Sequence, residues 1–404
     1  MRGRKAALLV AGVASLAAVA CAELFTEPPL DADVFDAPVP GLSPAEMATF
    51  AHGDAEFGRR FAPNTGLGPI FNNTSCFSCH SGDGRGRPEN ALQRIGSVDD
   101  GFLLDQGGPQ IQDKAVPGAE PEVVPTGAAV SVRLPPPVFG VGLIEAIPEH
   151  VILALADPED EDGDGISGRP NLVRSAEFVA GHEVGGGGGI KVGRFGRKAQ
   201  VSSLLQQVVE AYLQDMGITS DFAPVENRNP LSTVPTEAVD RVSDPEITAG
   251  TVQAVVHYIR LLAPPAPGAM TARREQGRQL FTSVGCGSCH VPTLRTGTHT
   301  VAALSNQDVT LYSDLLLHDM GDALADNRSD GGASGHEWRT TPLWGLRLMR
   351  QFLNGEAFLL HDGRARTVEE AILLHGGEAE RVRQAFAALS PTQRAALLDF
   401  VESR

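Results

Sequence analysis

The pentapeptide CFSCH at Cys76–His80 returns almost unchanged as CGSCH at Cys286–His290. The chain has five cysteines, and four of them lie in these two copies. Two thiols spaced by two residues stand one helical turn apart and can bond the two vinyl groups on one edge of a porphyrin. The histidine that follows then lies beneath the ring and ligates its iron. In an exported chain such cysteine pairs can also be structural or redox disulfides, but that reading gives no reason for a histidine directly after each pair. The repeat therefore predicts two covalent haem c groups, one on Cys76, Cys79 and His80 and the other on Cys286, Cys289 and His290.

Each copy follows an amphipathic stretch, SPAEMATFAHGDAEFGRRF (43–61) and MTARREQGRQLFTSV (270–284). Ser43 followed by Glu46 is a capping-box pattern. A helix running into an aromatic-containing turn and then a Cys pair is the entry of a cytochrome c fold. The expected architecture is mainly α, with two cytochrome c-like domains at 43–264 and 269–404. The segment APPAPG (263–268) closes the helical pattern TAGTVQAVVHYIRLL and marks the boundary. The 45 Gly and 28 Pro among 404 residues predict long, turn-rich connections.

The amino terminus reads as an export signal. MRGRK is a positive n-region, and AALLVAGVASLAAVA is an apolar stretch too short for a comfortable membrane span. Residues 1–21 end at AVAC, which admits either cleavage after Ala20 or lipidation of Cys21, the one cysteine outside the pentapeptides. The expected location is the periplasm or cell envelope, with membrane contact only through an anchor at Cys21. The chain carries 33 Lys and Arg against 50 Asp and Glu, a net charge of −17, and loss of the leader makes it more acidic still. An acidic chain without a basic patch repels nucleic acid and suits a basic protein partner.

An iron with two strong protein ligands carries electrons, whereas one with an open face can activate a small molecule. The second ligand of each haem is therefore the next question. The segment HDGRARTVEEAILLHGGEAE carries a helix capped by Thr367, with Glu369 and Glu370 in its first turn and His375 in its last. This segment resembles the His-Asp-Gly region of the bacterial di-haem cytochrome c peroxidases. The spacing in those proteins, counted from His361, lands on His375 as the sixth ligand of the electron-transferring haem, where they usually have Met. With GPIFNNTSCFSCHSGDGRG, VFGVGLIEAIP, DGDGISGRPN, LYSDLLLHDMG and EWRTTPLWGL, most of the mature chain is similar to the di-haem oxidoreductase family of peroxidase type. That resemblance implies a periplasmic electron donor, a small cytochrome or cupredoxin, and peroxide as substrate. Dioxygen is the alternative substrate, as in the di-haem rubber oxygenases that share this layout, and a third reading is an electron carrier with no substrate.

The N-terminal half echoes the C-terminal one. VRLPPPVFG (132–140) matches WRTTPLWG (338–345) in layout, and aligning Glu149 with Glu369 sets Leu155 opposite His375. No histidine lies between His80 and His150, and Gly96 stands where peroxidases place a resting-state ligand. The expectation is an open iron on His80, unless His52, His150, His257 or a methionine closes it. Cleaving an O–O bond there calls for an acid–base group. Glu145, flanked by apolar residues, is the candidate, with Arg133 to stabilise a developing anion; a structural ion pair is the other reading of both. Trp338 and Trp344 are candidates to assist transfer between haems. Asp160, Asp162 and Asp164 begin a calcium-loop pattern that lacks its closing Glu, Asn171 standing at that position, so the reading is either a calcium site or a solvated acidic turn.

Overall fold

A computed structural model describes residues 34–404 apart from 81, 83, 98, 236 and 237. Residues 1–21, read above as an export signal, lie outside the described residues, Cys21 included. In chain order the helices are α1 Pro44–Phe57, α2 Cys76–Cys79, α3 Val141–Ala146, α4 Glu149–Leu153, α5 Leu204–Met216, α6 Ala249–Leu261, α7 Ala272–Val284, α8 Leu346–Phe352, α9 Val368–Leu373, α10 Glu380–Ala387 and α11 Pro391–Glu402. The strands form antiparallel two-stranded ribbons, among them β2 (Leu92–Ile95) with β4 (Val130–Arg133), β5 (Leu172–Arg174) with β6 (Ile190–Val192), and β9 (Leu317–Asp319) with β10 (Glu337–Arg339). The protein is helix-dominated with small sheets, consistent with a cytochrome c-like fold.

Local chemistry explains the helices that matter. The Ser43 side chain accepts from Glu46 N, while Glu46 accepts from Ser43 N at 2.7 Å, so two orphan donors at the start of α1 are satisfied reciprocally. The helical pattern through Phe61 stops earlier, at Gly58, whose N–H bonds Asp54 O. Thr271 caps α7 by accepting from Arg274 N. Thr248 caps α6, which ends at Leu261 just before Pro264 and Pro265.

The two halves are built alike. α1 crosses α6 at Gly53, where a β-carbon would collide with Ala254 O and the Tyr258 side chain. α7 crosses α11 at Gly277, where the obstacles would be Ala396 O and Phe400. Only glycine lets these backbones approach so closely. Each crossing buries an aromatic beside a motif histidine: Phe57 lies 6.1 Å from the His80 ring and Phe281 lies 6.4 Å from His290. Tyr258 packs on Phe57 at 5.4 Å much as Phe400 packs on Phe281 at 5.6 Å.

The halves also lock together. Gly140 and Gly345, both at positive φ, start α3 and α8. Trp344 packs on Gly140 and Phe139 packs on Gly345, a reciprocal contact between the VFG and LWG corners. One apolar cluster runs from Phe35 and Phe139 through Val255 and Leu261 to Leu294, Leu311 and Leu348. That cluster spans both halves, while Phe281, Tyr312, Phe386 and Phe400 form a separate one beside His290.

Candidate haem-binding site

Both pentapeptides fold into a tight turn. α2 is capped by Ser75, which accepts from Ser78 N, and His80 N bonds Cys76 O at 3.0 Å. Cys286–Ser288 form a 3-10 turn, with His290 N bonded to Cys286 O at 3.0 Å. None of the four cysteines is in a disulfide. Burial pushes the Cys79 and Cys286 thiols up to about 12, far from the low-pKa thiolate of a redox Cys-x-x-Cys.

Three histidines share one arrangement. His80 Nδ1 donates to Pro136 O at 2.8 Å, His290 Nδ1 to Tyr312 O at 2.9 Å, and His375 Nδ1 to Ala371 O at 2.7 Å. A carbonyl oxygen only accepts, so the proton sits on Nδ1 and the Nε2 lone pair is left for a metal. Burial lowers the pKa of His80 and His290 to about 4 and lowers that of His375, which keeps all three rings in the neutral, ligating form.

His290 and His375 open onto one cavity, together with Cys286 and Cys289. Its free volume is about 230 Å³, and its walls include Phe281, Leu343, Met349 and Ile372. His375 follows the short helix α9, which Thr367 caps by accepting from Glu370 N at 3.0 Å. Two thiols on one turn, two neutral imidazoles with Nε2 unspent and an apolar-walled space between them fit a c-type haem. His318 and Met320 line the same cavity. His318 is not a ligand in waiting: its Nδ1 bonds Glu378 at 2.7 Å and its Nε2 bonds Asp314 at 2.8 Å.

The structure gives Glu145 and Arg133 different surroundings from those read in the sequence. Glu145 is 1% exposed, but it does not stand alone in an apolar wall. Arg260 of α6 grips both its oxygens, Nε to Oε2 at 2.5 Å and Nη2 to Oε1 at 3.1 Å, and also reaches Glu183 at 3.2 Å. The apolar flanks are real, but the fold supplies a cation more than 100 positions away in the chain. Arg133 lies three residues before Pro136, whose carbonyl holds the His80 ring, and pairs with Asp326 and Asp330 at 3.2 and 2.5 Å. Neither residue has a described polar contact with His80. Each takes the ion-pair form that the sequence left open.

The acidic loop differs as well. Asp157, Asp160 and Asp162, rather than Asp160, Asp162 and Asp164, bring carboxylate oxygens within 4.8 Å of one another. Asp164 turns to Ile166 N at 2.9 Å, Asp162 accepts from Asp164 N at 3.0 Å and Asp160 accepts from Gly165 N at 3.0 Å. Asn171 faces away, donating to Lys198 O and Asp330 O. Each of the three carboxylates expected to hold calcium thus accepts one backbone N–H of the turn.

Of the alternatives for a second ligand to His80, His52 and His150 are exposed. His257, on α6, is half-buried; burial lowers its pKa first, the Arg260 charge adds to that, and Glu46 opposes it. Met320 and Met349 belong to the C-terminal cavity. His361 and Trp338 also line that cavity, stacked with ring centroids 3.6 Å apart and planes 13° from parallel. Trp344 lines it too. Sequence reasoning missed four arginines on the same cavity, Arg85, Arg197, Arg339 and Arg383. They are scattered in sequence and carry no shared motif.

A family model described as "Di-haem oxidoreductase, putative peroxidase" matches residues 29–96 and 121–404. The chain belongs to that family, and haem is the cofactor that its membership implies. Among solved structures, the chain is similar to hydrazine synthase of Kuenenia stuttgartiensis under 20 bar of xenon. The identity is 16% and the TM-score 0.39, with 94% of this chain and 96% of that one covered. It is also similar to a MauG-like protein associated with microbial copper homeostasis, at 14% identity and a TM-score of 0.40, with 94% and 95% covered. No curated protein matches the chain.

Proposed function

We propose that this protein is an exported di-haem c-type oxidoreductase that reduces peroxide. In this reading Cys286, Cys289, His290 and His375 hold an electron-transfer haem, and Cys76, Cys79 and His80 hold a second haem with one face open to substrate. Haem supplies one-electron redox chemistry and, where an axial position is open, a binding site for a small oxidant. The contrast between the halves carries the reading. His290 and His375 present neutral imidazoles to one cavity, whereas two of the candidates for a second ligand to His80, His52 and His150, are exposed and the third, His257, is half-buried on α6.

The protein's own groups have three tasks. The carbonyls of Pro136, Tyr312 and Ala371 fix the ring tautomers and orientations. The apolar walls of the C-terminal cavity keep water from a haem whose work is electron transfer. The Trp338–His361 stack on that cavity is a suitable aromatic element between donor and acceptor. Two electrons and two protons convert one peroxide to two waters, and a small periplasmic cytochrome or cupredoxin is the donor class that fits. The chain's net charge of −17 favours a donor with a basic docking face.

Steady-state turnover separates this function from its rivals. Hydrogen peroxide consumed in step with oxidation of a reduced cytochrome or cupredoxin supports it. Oxygen uptake without peroxide turnover points to a dioxygenase, and neither activity points to a carrier.

A further inference from the structure

Besides Arg383, which pairs with Glu380, three arginines, Arg85, Arg197 and Arg339, line the cavity of His290 and His375. They come from separate places: Arg85 from the loop after His80, Arg197 from the loop after β6, and Arg339 from the end of β10. Arg85 and Arg197 are 6% and 5% exposed. None of the three has an ion pair among the described residues. The carboxylates whose charge they feel are engaged elsewhere, Asp362 with Arg364 at 2.6 Å and Asp314 with His318 at 2.8 Å. Arg197 donates Nε and Nη2 to Leu134 O at 3.1 and 2.9 Å. Nε and Nη2 of Arg85 and Nε of Arg339 meet no hydrogen-bond partner among the described residues.

Buried guanidinium groups that share a cavity are costly twice over. Each loses its hydration, and each repels the others. Burial lowers Arg85 and Arg339 to about 10 and Arg197 well below its usual value, the charges of Arg85 and Arg339 adding to the last. Such a cluster is sustained when an anion joins it, and the planar fork of arginine matches the two oxygens of a carboxylate.

We propose that Arg85, Arg197 and Arg339 form a carboxylate-binding cluster that takes a propionate of the haem held by Cys286, Cys289 and His290. The proposal rests on reading that cavity as a haem site. A haem tethered through its vinyl edge carries its propionates away from the cysteines, at a fixed effective concentration that no free anion matches. Arg85 belongs to the loop that follows the other haem-binding histidine. The cluster therefore joins the two centres: a side chain from the His80 loop grips the cofactor of the C-terminal half. Positive charge near that cofactor favours its reduced form and raises its potential.

The test uses the matured holoprotein. Arg85→Gln, Arg339→Gln and Arg85→Lys are compared with wild type by spectroelectrochemical titration, with haems counted by intact mass. Both Gln variants keep two haems and move the low-spin haem to a lower midpoint potential, while Arg85→Lys keeps most of the wild-type value. A purely packing role would not distinguish Lys from Gln in this way. Should Arg85→Gln fail to mature, Arg339→Gln decides alone. Unchanged potentials in Gln variants that retain both haems overturn the proposal. So does a wild-type potential that moves when acetate or chloride is exchanged at constant ionic strength, because the cluster would then be binding a free anion. A wild-type protein with fewer than two haems removes the haem-site reading itself, and the proposal with it.

Discussion

Replacing Glu145 by Gln distinguishes a strut from a proton carrier. The Glu145 side chain is wholly buried, and that of Arg260 is 14% exposed. Stranding one member of a buried pair costs about 3–5 kcal/mol. Two features reduce that here. Glu183 remains 3.2 Å from Arg260, and Gln retains one oxygen to accept a hydrogen bond. The expected loss is therefore roughly 2 kcal/mol, below the full stranding cost. It appears as a lower thermal midpoint of the holoprotein, followed by far-UV circular dichroism at fixed pH and scan rate. Arg260→Gln lowers the midpoint comparably, and the double variant loses less than the two singles together, because the second change removes a group already unpaired. Haem spectra and peroxide turnover per folded molecule stay near wild type. An unshifted midpoint combined with turnover reduced by about 10²-fold or more, the scale of a general acid–base group, would refute the strut and return Glu145 to the chemistry.

Other outcomes follow from single residues. His375→Ala keeps both haems, which the thioethers hold, and converts the low-spin signal of the C-terminal haem to high spin in the visible and electron paramagnetic resonance spectra; an unchanged low-spin signal sends the search for the ligand elsewhere, since His318 is already engaged on both nitrogens. Glu122 is buried, and burial raises its pKa from 4.5 to about 7 against one hydrogen bond from Gln112 N. Its raised folded-state pKa favours folding below about pH 4.5, and that contribution is lost as pH climbs through 7. Glu122→Gln should thus raise the thermal midpoint at pH 8 and not at pH 4, by at most about 3 kcal/mol of stability; equal effects at both pH values contradict this. Chelation with EGTA should leave midpoint and haem spectra unchanged if the loop is held by its own turn, in which Asp160, Asp162 and Asp164 each accept a backbone N–H; a drop in midpoint reversed by calcium would show an ion at work.

What could be read in the chain was local or periodic. The capping box at Ser43 and the Cys-Cys-His turns are short-range constructions, so their geometry is written within a few residues. The crossings at Gly53 and Gly277 were not read, because a glycine inside a helix pattern does not announce what backbone it meets. His375 was reached through a resemblance in spacing, not through any pattern of its own. Glu145 shows the limit clearly: its apolar neighbours announce burial, but burial alone does not say whether a cation is waiting, and Arg260 lies on a distant helix. The acidic loop differs in which carboxylates cluster, Asp157, Asp160 and Asp162. Alternate carboxylates suit an ion and suit a tight turn equally, and here backbone N–H groups claim them. The Arg85, Arg197 and Arg339 cluster is wholly tertiary, assembled from two loops and a strand end.

The proposed division of labour between the two haems is best tested by a low-temperature electron paramagnetic resonance spectrum of the resting, fully oxidised holoprotein. One low-spin ferric signal from the haem between His290 and His375 and one high-spin ferric signal from the haem on His80, in equal amounts, is the predicted result. Two low-spin signals with no high-spin component would mean that both irons are closed by protein ligands, which would contradict the open site and leave an electron carrier in its place.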